Sequence, residues 1–268
     1  MTDNTELKPC PKRHISWFSC GAASAVATKI MLQEVDDLII AYSEIKEEHP
    51  DNKRFLADCV RWYNRPITIM GNDKYDRSIY KVFEKVKYIS GVKGATCTRL
   101  LKKQVRIDFQ QDGDIQYFGY THDKKDMDRA DRFIDANPDV DARFPLIERG
   151  ITKADCLSMI KDAGIELPEM YKLGYHNNNC IGCVKGAAGY WNKIREDFPE
   201  TFERMSETEE KIGASICKIE HGTRGTDDYW IERPRLKDLP LDAGDYPNEP
   251  DIECSFFCHM EKGKYENE

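Results

Sequence analysis

Hydrophobic positions along the chain fall into short continuous runs separated by longer amphipathic stretches. Ile15-Ser16-Trp17-Phe18, Leu38-Ile39-Ile40-Ala41-Tyr42 and Ile67-Thr68-Ile69-Met70 are β-prone and scarcely alternate with polar residues, as expected of strands covered on both faces. Residues 115–120 read as a fourth strand. Between the runs, residues 25–32 favour helix, residues 51–63 place Phe55, Cys59 and Trp62 on one side, and residues 75–88 carry Ile79, Val82, Phe83 and Val86 at helical spacing. Residues 100–109 predict a further helix. Strands alternating with helices in this way imply βαβ units. The expectation is an α/β fold with a mostly parallel twisted sheet, flanking helices, and ligands at the carboxyl ends of the strands.

Later in the chain, Thr152 is placed to cap a helix over 153–163 that Gly164 ends. Residues 187–211 predict helix with a break at Pro199. From residue 212 the pattern changes. Residues 215–219 and 229–232 read as short strands, and residues 234–250, with four prolines, as irregular chain. This divides the protein into an α/β domain over 1–211 and a C-terminal segment over 212–268 with small strands and a cysteine-bearing tail.

The 268 residues include 40 basic and 48 acidic side chains, a net charge of −8. That sign argues against a general nucleic-acid binder, which is usually basic. One basic stretch, with Lys93, Arg99, Lys102, Lys103 and Arg106, reads either as a local basic groove or as a solvated helix face. No apolar run approaches the roughly 20 residues needed to span a bilayer, and the N-terminus lacks the apolar core of a secretory signal, so a cytoplasmic location is expected. Ten cysteines there point to metal, cluster or thiol chemistry rather than disulfides.

Two features carry candidate chemistry. Ser19-Cys20-Gly21-Ala22-Ala23-Ser24 joins the first strand to a helix, where backbone N–H groups and the helix N-terminus can hold a phosphate. Tight strand–helix packing is the other use of such small residues. Cys180-Ile181-Gly182-Cys183 is a CxxC on a glycine-bearing loop, able to ligate one metal or two corners of a cluster. Cys97 begins a predicted helix upstream. A zinc held by Cys180, Cys183, Cys254 and Cys258 is the structural alternative, whereas Cys10, Cys59, Cys156 and Cys217 fall in the tail or at core-like positions. Trp17 reads mainly as core. Asn177-Asn178-Asn179 is a turn former that can also donate to cluster sulfurs.

Residues 15–24 resemble the Ser-Gly-Gly-Lys-Asp-Ser loop of the adenine-nucleotide α-hydrolase superfamily, which includes the phosphoadenosine phosphosulfate (PAPS) and adenosine phosphosulfate (APS) reductases and the ATP pyrophosphatases. Tyr42-Ser43-Glu44 through His49-Pro50-Asp51 is similar to the reductase segment that receives the adenosine. Cys97-Thr98-Arg99-Leu100-Leu101-Lys102 resembles their Cys-Cys-x-x-Leu-Lys stretch, and Gly119-Tyr120-Thr121 with Asp128, Arg129 and Arg132 resembles their Gly-x-Arg-x-x-Glu stretch and its later arginine. Phe144-Pro145-Leu146 echoes their Pro-Leu segment. The loop lysine and aspartate of the superfamily are Ala22 and Ala23 here, a departure that weighs most against handling a triphosphate with magnesium.

The resemblance implies an enzyme of sulfate assimilation that reduces APS or PAPS to sulfite. The nucleotide would lie on Ser19, Cys20, Gly21, Ala22, Ala23, Ser24, Tyr42 and Ser43, with Lys102, Arg129 and Arg132 neutralising sulfate and phosphate. Cys97, Cys180 and Cys183 match three ligands of the family's four-iron four-sulfur (4Fe-4S) cluster, Thr96 replacing one member of its cysteine pair. Cys258 is taken as the fourth. Glu253-Cys254 with His259 is similar to the reductases' terminal Glu-Cys-Gly-x-His, which makes Cys254 the nucleophile and a thioredoxin-like thiol the reductant; Cys254 as a cluster ligand stays open. The rival readings are an ATP-dependent sulfurtransferase acting on tRNA or DNA and a non-catalytic nucleotide-binding accessory protein.

Overall fold

A computed structural model describes residues 12–91, 94–223, 225–246 and 248–252. Its centre is an all-parallel five-stranded sheet in the order β3-β2-β1-β6-β7, made of β1 (His14–Phe18), β2 (Leu38–Ser43), β3 (Thr68–Met70), β6 (Ile115–Phe118) and β7 (Asp141–Arg143). β4 (Ser90–Gly91) and β5 (Gly94–Ala95) form a small antiparallel hairpin. The protein is therefore α/β, as the strand–helix alternation predicts. Register follows the pleat. Ile15 and Trp17 of β1 face one layer with Phe118, Phe133 and Phe144, while Phe18 packs on the opposite face with Ala25, Val26, Phe55 and Ile160. Burial on both faces is why the central strands lack alternation.

The helices on the first half of the chain are α1 (Ala22–Met31), α2 (Asn52–Tyr63), α3 (Ile79–Val86), α4 (Thr96–Thr98) and α5 (Gln104–Phe109), the last two joined by a π-helical turn at Arg99–Lys103. α6 (Lys124–Ala136), α7 (Pro145–Glu148), α8 (Lys153–Asp162), α9 (Glu169–Lys172), α10 (Ala188–Asp197) and α11 (Pro199–Ile212) follow. The cap of α8 is as expected: Thr152 Oγ1 accepts from the Asp155 amide at 3.2 Å and Asp155 returns the bond in a capping box. The break at Pro199 is also present, between α10 and α11.

Several sequence expectations are corrected. The helix read over 75–88 starts only at Ile79, because Asp76 and Arg77 sit at φ 51° and 52°, outside helical geometry. The strand read over 215–219 lies instead at β8 (Ile219–His221), paired with β9 (Trp230–Glu232). β7 and α6 have no counterpart among the expected elements. β7 is Asp-Ala-Arg, an edge strand with no apolar run, and α6 buries only Ala130 and Phe133 of thirteen residues.

Beyond α11 the chain returns onto the same body. The fully buried Glu209 accepts from the Ile216 and Leu236 amides, both at 2.6 Å. Burial raises its pKa, against the pull of those two N–H groups. Glu249 accepts from the Gly189 and Tyr190 amides at 2.6 and 2.8 Å, tying the segment to the start of α10.

Candidate functional site

The sheet order reverses between β1 and β6, the position where an open parallel sheet leaves a crevice beyond its carboxyl ends. The loops leaving these two strands meet there. A Cβ on Gly119 would stand 2.5 Å from Ser24 Cα and 2.6 Å from Ser24 N, so the β6 exit lies directly on the first turn of α1 and only glycine fits.

The β1 loop holds its own shape. Ser24 Oγ accepts from the Ser19 amide and hydroxyl, each at 3.0 Å, and donates to Gly21 O at 3.0 Å. The two hydroxyls expected to serve a phosphate therefore bind each other. Ala22 N donates to the Tyr171 hydroxyl at 3.3 Å, and Ala23 lines the cleft. Cys20 adopts the left-handed φ of 56°, and its side chain enters the core against Phe18 and Tyr42. Burial first, then the neighbouring Glu48, pushes the Cys20 thiol well up, which keeps it protonated.

Tyr42 and Ser43 turn inward as well. The Tyr42 hydroxyl donates to Glu48, and Ser43 Oγ donates to Leu101 O at 2.6 Å. Glu48 also accepts from Asn52 Nδ2 at 3.0 Å. Asn178 completes the chain of bonds, its Nδ2 donating to Asn52 Oδ1 at 2.8 Å and to Cys20 O at 2.7 Å. These buried links join the β1 loop to the segment immediately before the CxxC. Sequence reading had treated Asn178 as a turn former and missed Glu48 and Asn52, whose roles depend on contacts up to 126 residues apart.

Above the loop is a cleft of about 430 Å³ lined by Ala23, Gly119, Thr121, Arg129, Lys153 and Asn179, among others. Arg129 is at this wall, paired with Asp126 at 2.5 Å and stacked 4.3 Å over the Tyr120 ring. Two expected cations are elsewhere. Arg132 is exposed outside the cleft wall, and Lys102 is buried beneath it, 5% exposed. Arg106 is buried too, 1% exposed, and desolvation lowers its pKa to about 10. The stretch holding Lys102 and Arg106 is thus neither a solvated face nor a basic groove along its length. Lys153, Lys124 and Lys125, which line the cleft, carried no motif that would have singled them out.

The cysteine expectation converges in space. Cys97, Cys180 and Cys183 line one small cavity of about 10 Å³, walled by Ile45, Ile79, Thr98 and Val184. Three sulfurs around an apolar void match the donor chemistry of a thiolate-ligated cluster or zinc. The volume is that of one water-sized body, and among the described residues no three His, Cys, Asp or Glu side chains stand close enough to close on a metal. Cys59, Cys156 and Cys217 are fully buried core residues as expected, the first two with pKa raised to about 12 by desolvation. Trp17 is likewise core, its Nε1 donating to Gln116 Oε1 at 2.9 Å. Cys10, Cys254, Cys258 and His259 lie outside the described residues. No helix among the described residues is long and apolar enough to cross a membrane.

No family model matches the chain. It is 23% identical over 228 residues to an uncharacterized protein of Methanocaldococcus jannaschii, a match covering 83% of this chain and 51% of that protein. The chain thus spans about half the length of that relative.

Proposed function

We propose that the protein is an adenine-nucleotide-dependent enzyme of sulfur chemistry, of the PAPS/APS-reductase type, that reduces a sulfonucleotide to sulfite. The observation that carries this reading is the junction at residues 178–183. Asn178 is bonded to the β1 loop through Cys20 O, and the cysteines that share a cavity with Cys97 begin two residues later. A nucleotide cleft and a three-thiol pocket are thereby coupled through one short segment.

In this reading the amides of residues 21–24 and the N-terminus of α1 bind the nucleotide's phosphate, and Arg129 neutralises the leaving oxygen. The Cys254 thiolate attacks the sulfur of the bound sulfate group. The Sγ–S bond forms, the S–O bond to the phosphate breaks, and the electron pair leaves with the nucleotide's phosphate oxygen. A thioredoxin-like dithiol then attacks Cys254 Sγ, releasing sulfite, and its second thiol closes the reductant's own disulfide, returning Cys254 as a thiol. The approach to Cys254 supports its role: Ile252 O, two residues earlier, accepts from Asn179 Nδ2 at 3.1 Å beside the cleft. Cys97, Cys180 and Cys183, with Cys258 as fourth ligand, would hold a 4Fe-4S cluster, or zinc in its place, once their side chains rearrange from the positions they take around the small cavity. A bound group would tie Cys97 to residues 180–183 and so steady the segment that carries Asn178.

The sulfurtransferase reading leaned on a basic nucleic-acid surface, and the burial of Lys102 and Arg106 weakens that support. Anaerobically prepared protein is expected to release sulfite from APS or PAPS with thioredoxin, and Cys254→Ser to abolish release while nucleotide still binds. Pyrophosphate release from ATP without sulfite would favour the sulfurtransferase. Binding without any turnover would leave the accessory role.

A further inference from the structure

Asp251 and Ile252, from the far end of the chain, form part of the cleft's wall. Lys153 Nζ lies 3.2 Å from Asp251 Oδ2, and His176 Nδ1 lies 2.9 Å from Asp251 Oδ1. Next to them, Asn179 Nδ2 and Asn177 Nδ2 donate to Ile252 O at 3.1 and 3.4 Å. Four nitrogen-bearing side chains from two separate parts of the chain thus converge on the acceptor oxygens of two consecutive residues. The nearby acids are occupied elsewhere. Asp126 accepts from the Thr121 amide and hydroxyl at 3.0 and 2.9 Å, and Asp123 accepts from the Lys153 amide at 2.9 Å. Lys124 and Lys125 line the same cleft and make no ion pair among the described residues.

We infer that Lys153 and His176 form a second anion subsite of the cleft, occupied in the ligand-free chain by the Asp251 carboxylate, and that it receives the second anionic group of a ligand bearing two. This inference rests on the nucleotide reading for the ligand's other half, which the β1 loop would hold. Three features make Asp251 a replaceable stand-in. Its carboxylate and Lys153 are 34% and 29% exposed, and an ion pair so open to water contributes little. A phosphate or sulfate brings more acceptor oxygens than the carboxylate it replaces, and a phosphate dianion more charge. The segment is also anchored independently by Glu249 on the Gly189 and Tyr190 amides, so the Asp251 carboxylate can swing away without releasing the chain around it. The cleft is accordingly matched to a ligand with two anionic groups, and a monoanionic or singly phosphorylated ligand leaves Asp251 in place.

Titration calorimetry on the full chain tests this with AMP, adenosine 3′,5′-bisphosphate and inorganic pyrophosphate as probes. Asp251→Asn removes the competing charge and should tighten pyrophosphate and the bisphosphate about fivefold, the most an exposed pair contributes. AMP should change less than twofold. Adding Lys153→Ala should cancel the gain. Asp251→Ser, with unchanged thermal melting, separates the effect from misfolding. Unchanged or weaker pyrophosphate binding by both Asp251 variants, or binding by neither variant nor parent, overturns the subsite. If only the nucleotide reading is wrong, AMP and the bisphosphate fail on every chain while the pyrophosphate gain persists.

Discussion

The two walls of the cleft are built on opposite plans. The inner wall, the β1 loop, satisfies its polar groups with buried, fixed partners: Ser19 and Ser24 bind each other, Tyr171 of α9 accepts the Ala22 amide, and Asn178 donates to Cys20 O. The outer wall turns the side chains of Lys153, His176, Asn177 and Asn179 onto Asp251 and Ile252, borrowed from the far end of the chain. A loop held by buried partners is preorganised, so a ligand there causes little rearrangement. A wall completed by a removable segment can instead exchange an internal acceptor for an external one. Rigidity and exchange are thus assigned to different parts of one pocket.

The sharpest way to break this comparison is at Gly119. A valine there would drive its Cβ to within 2.5 Å of the Ser24 backbone, and backbone cannot yield as a flexible side-chain tip does. Gly119→Val should cost about 3 kcal/mol in denaturant unfolding, the upper part of the usual overpacking range, and abolish nucleotide binding. Lys153→Ala, on the outer wall, should stay within about 0.5 kcal/mol of the parent in stability. Equal losses at the two positions would show that the walls do not differ in kind.

A smaller effect is expected at the hinge between them. Asn178 is 7% exposed and is the side-chain donor to Cys20 O and Asn52 Oδ1. Asn178→Ala leaves both acceptors buried, for about 2 kcal/mol. Because the same bonds align residues 180–183 with Cys97, it should also speed alkylation of those thiols, read by mass spectrometry. Fast labelling without a stability change would mean that Asn178 positions the cysteines but does not hold the loop.

How far the sequence disclosed all this follows the same division. β1, β2 and the loop after Phe18 were legible because local pattern is sufficient: apolar runs buried on both faces, then small residues at a helix start. Cys180 and Cys183 were legible as a pair because thiols at CxxC spacing have few other uses, and Cys97 joined them only through the resemblance to the reductases' cysteine stretch. β7 was not, since an edge strand of Asp-Ala-Arg takes its identity from its partners Ile115, Gln116 and Tyr117. Lys102 read as a cation facing the nucleotide or solvent, and only the packing of the π-helical turn, whose Leu100 and Leu101 enter the core with Ile79, Phe83 and Trp191, buries it. The outer wall was the least visible part. Lys153, His176 and Asp251 become a unit only when the C-terminal segment folds back, and no periodicity or spacing encodes that return.

The smallest predicted effect tests what keeps Tyr171 against the inner wall. Asp51 accepts from Arg54 at 2.6 and 2.7 Å and from the Glu169 amide at 3.0 Å, and Arg54 in turn donates to Glu166 O and Leu167 O, both at 3.1 Å. These bonds fix the approach to α9, which carries Tyr171. The hydrogen bonds from Arg54, aided by the Glu169 amide, outweigh burial and hold the Asp51 carboxyl below its ordinary value of 3.8. With the folded pKa depressed, the stabilisation is complete above the ordinary value and is lost as pH falls through the folded one. Asp51→Asn should therefore cost about 1 kcal/mol at neutral pH, and the difference from the parent should shrink as the pH drops below about 4. Urea unfolding of both chains at pH 7, 5 and 3 reads this directly. A difference that stays constant across that range would mean that the geometry of the Asp51 side chain, and not its charge, steadies the Tyr171 side of the cleft.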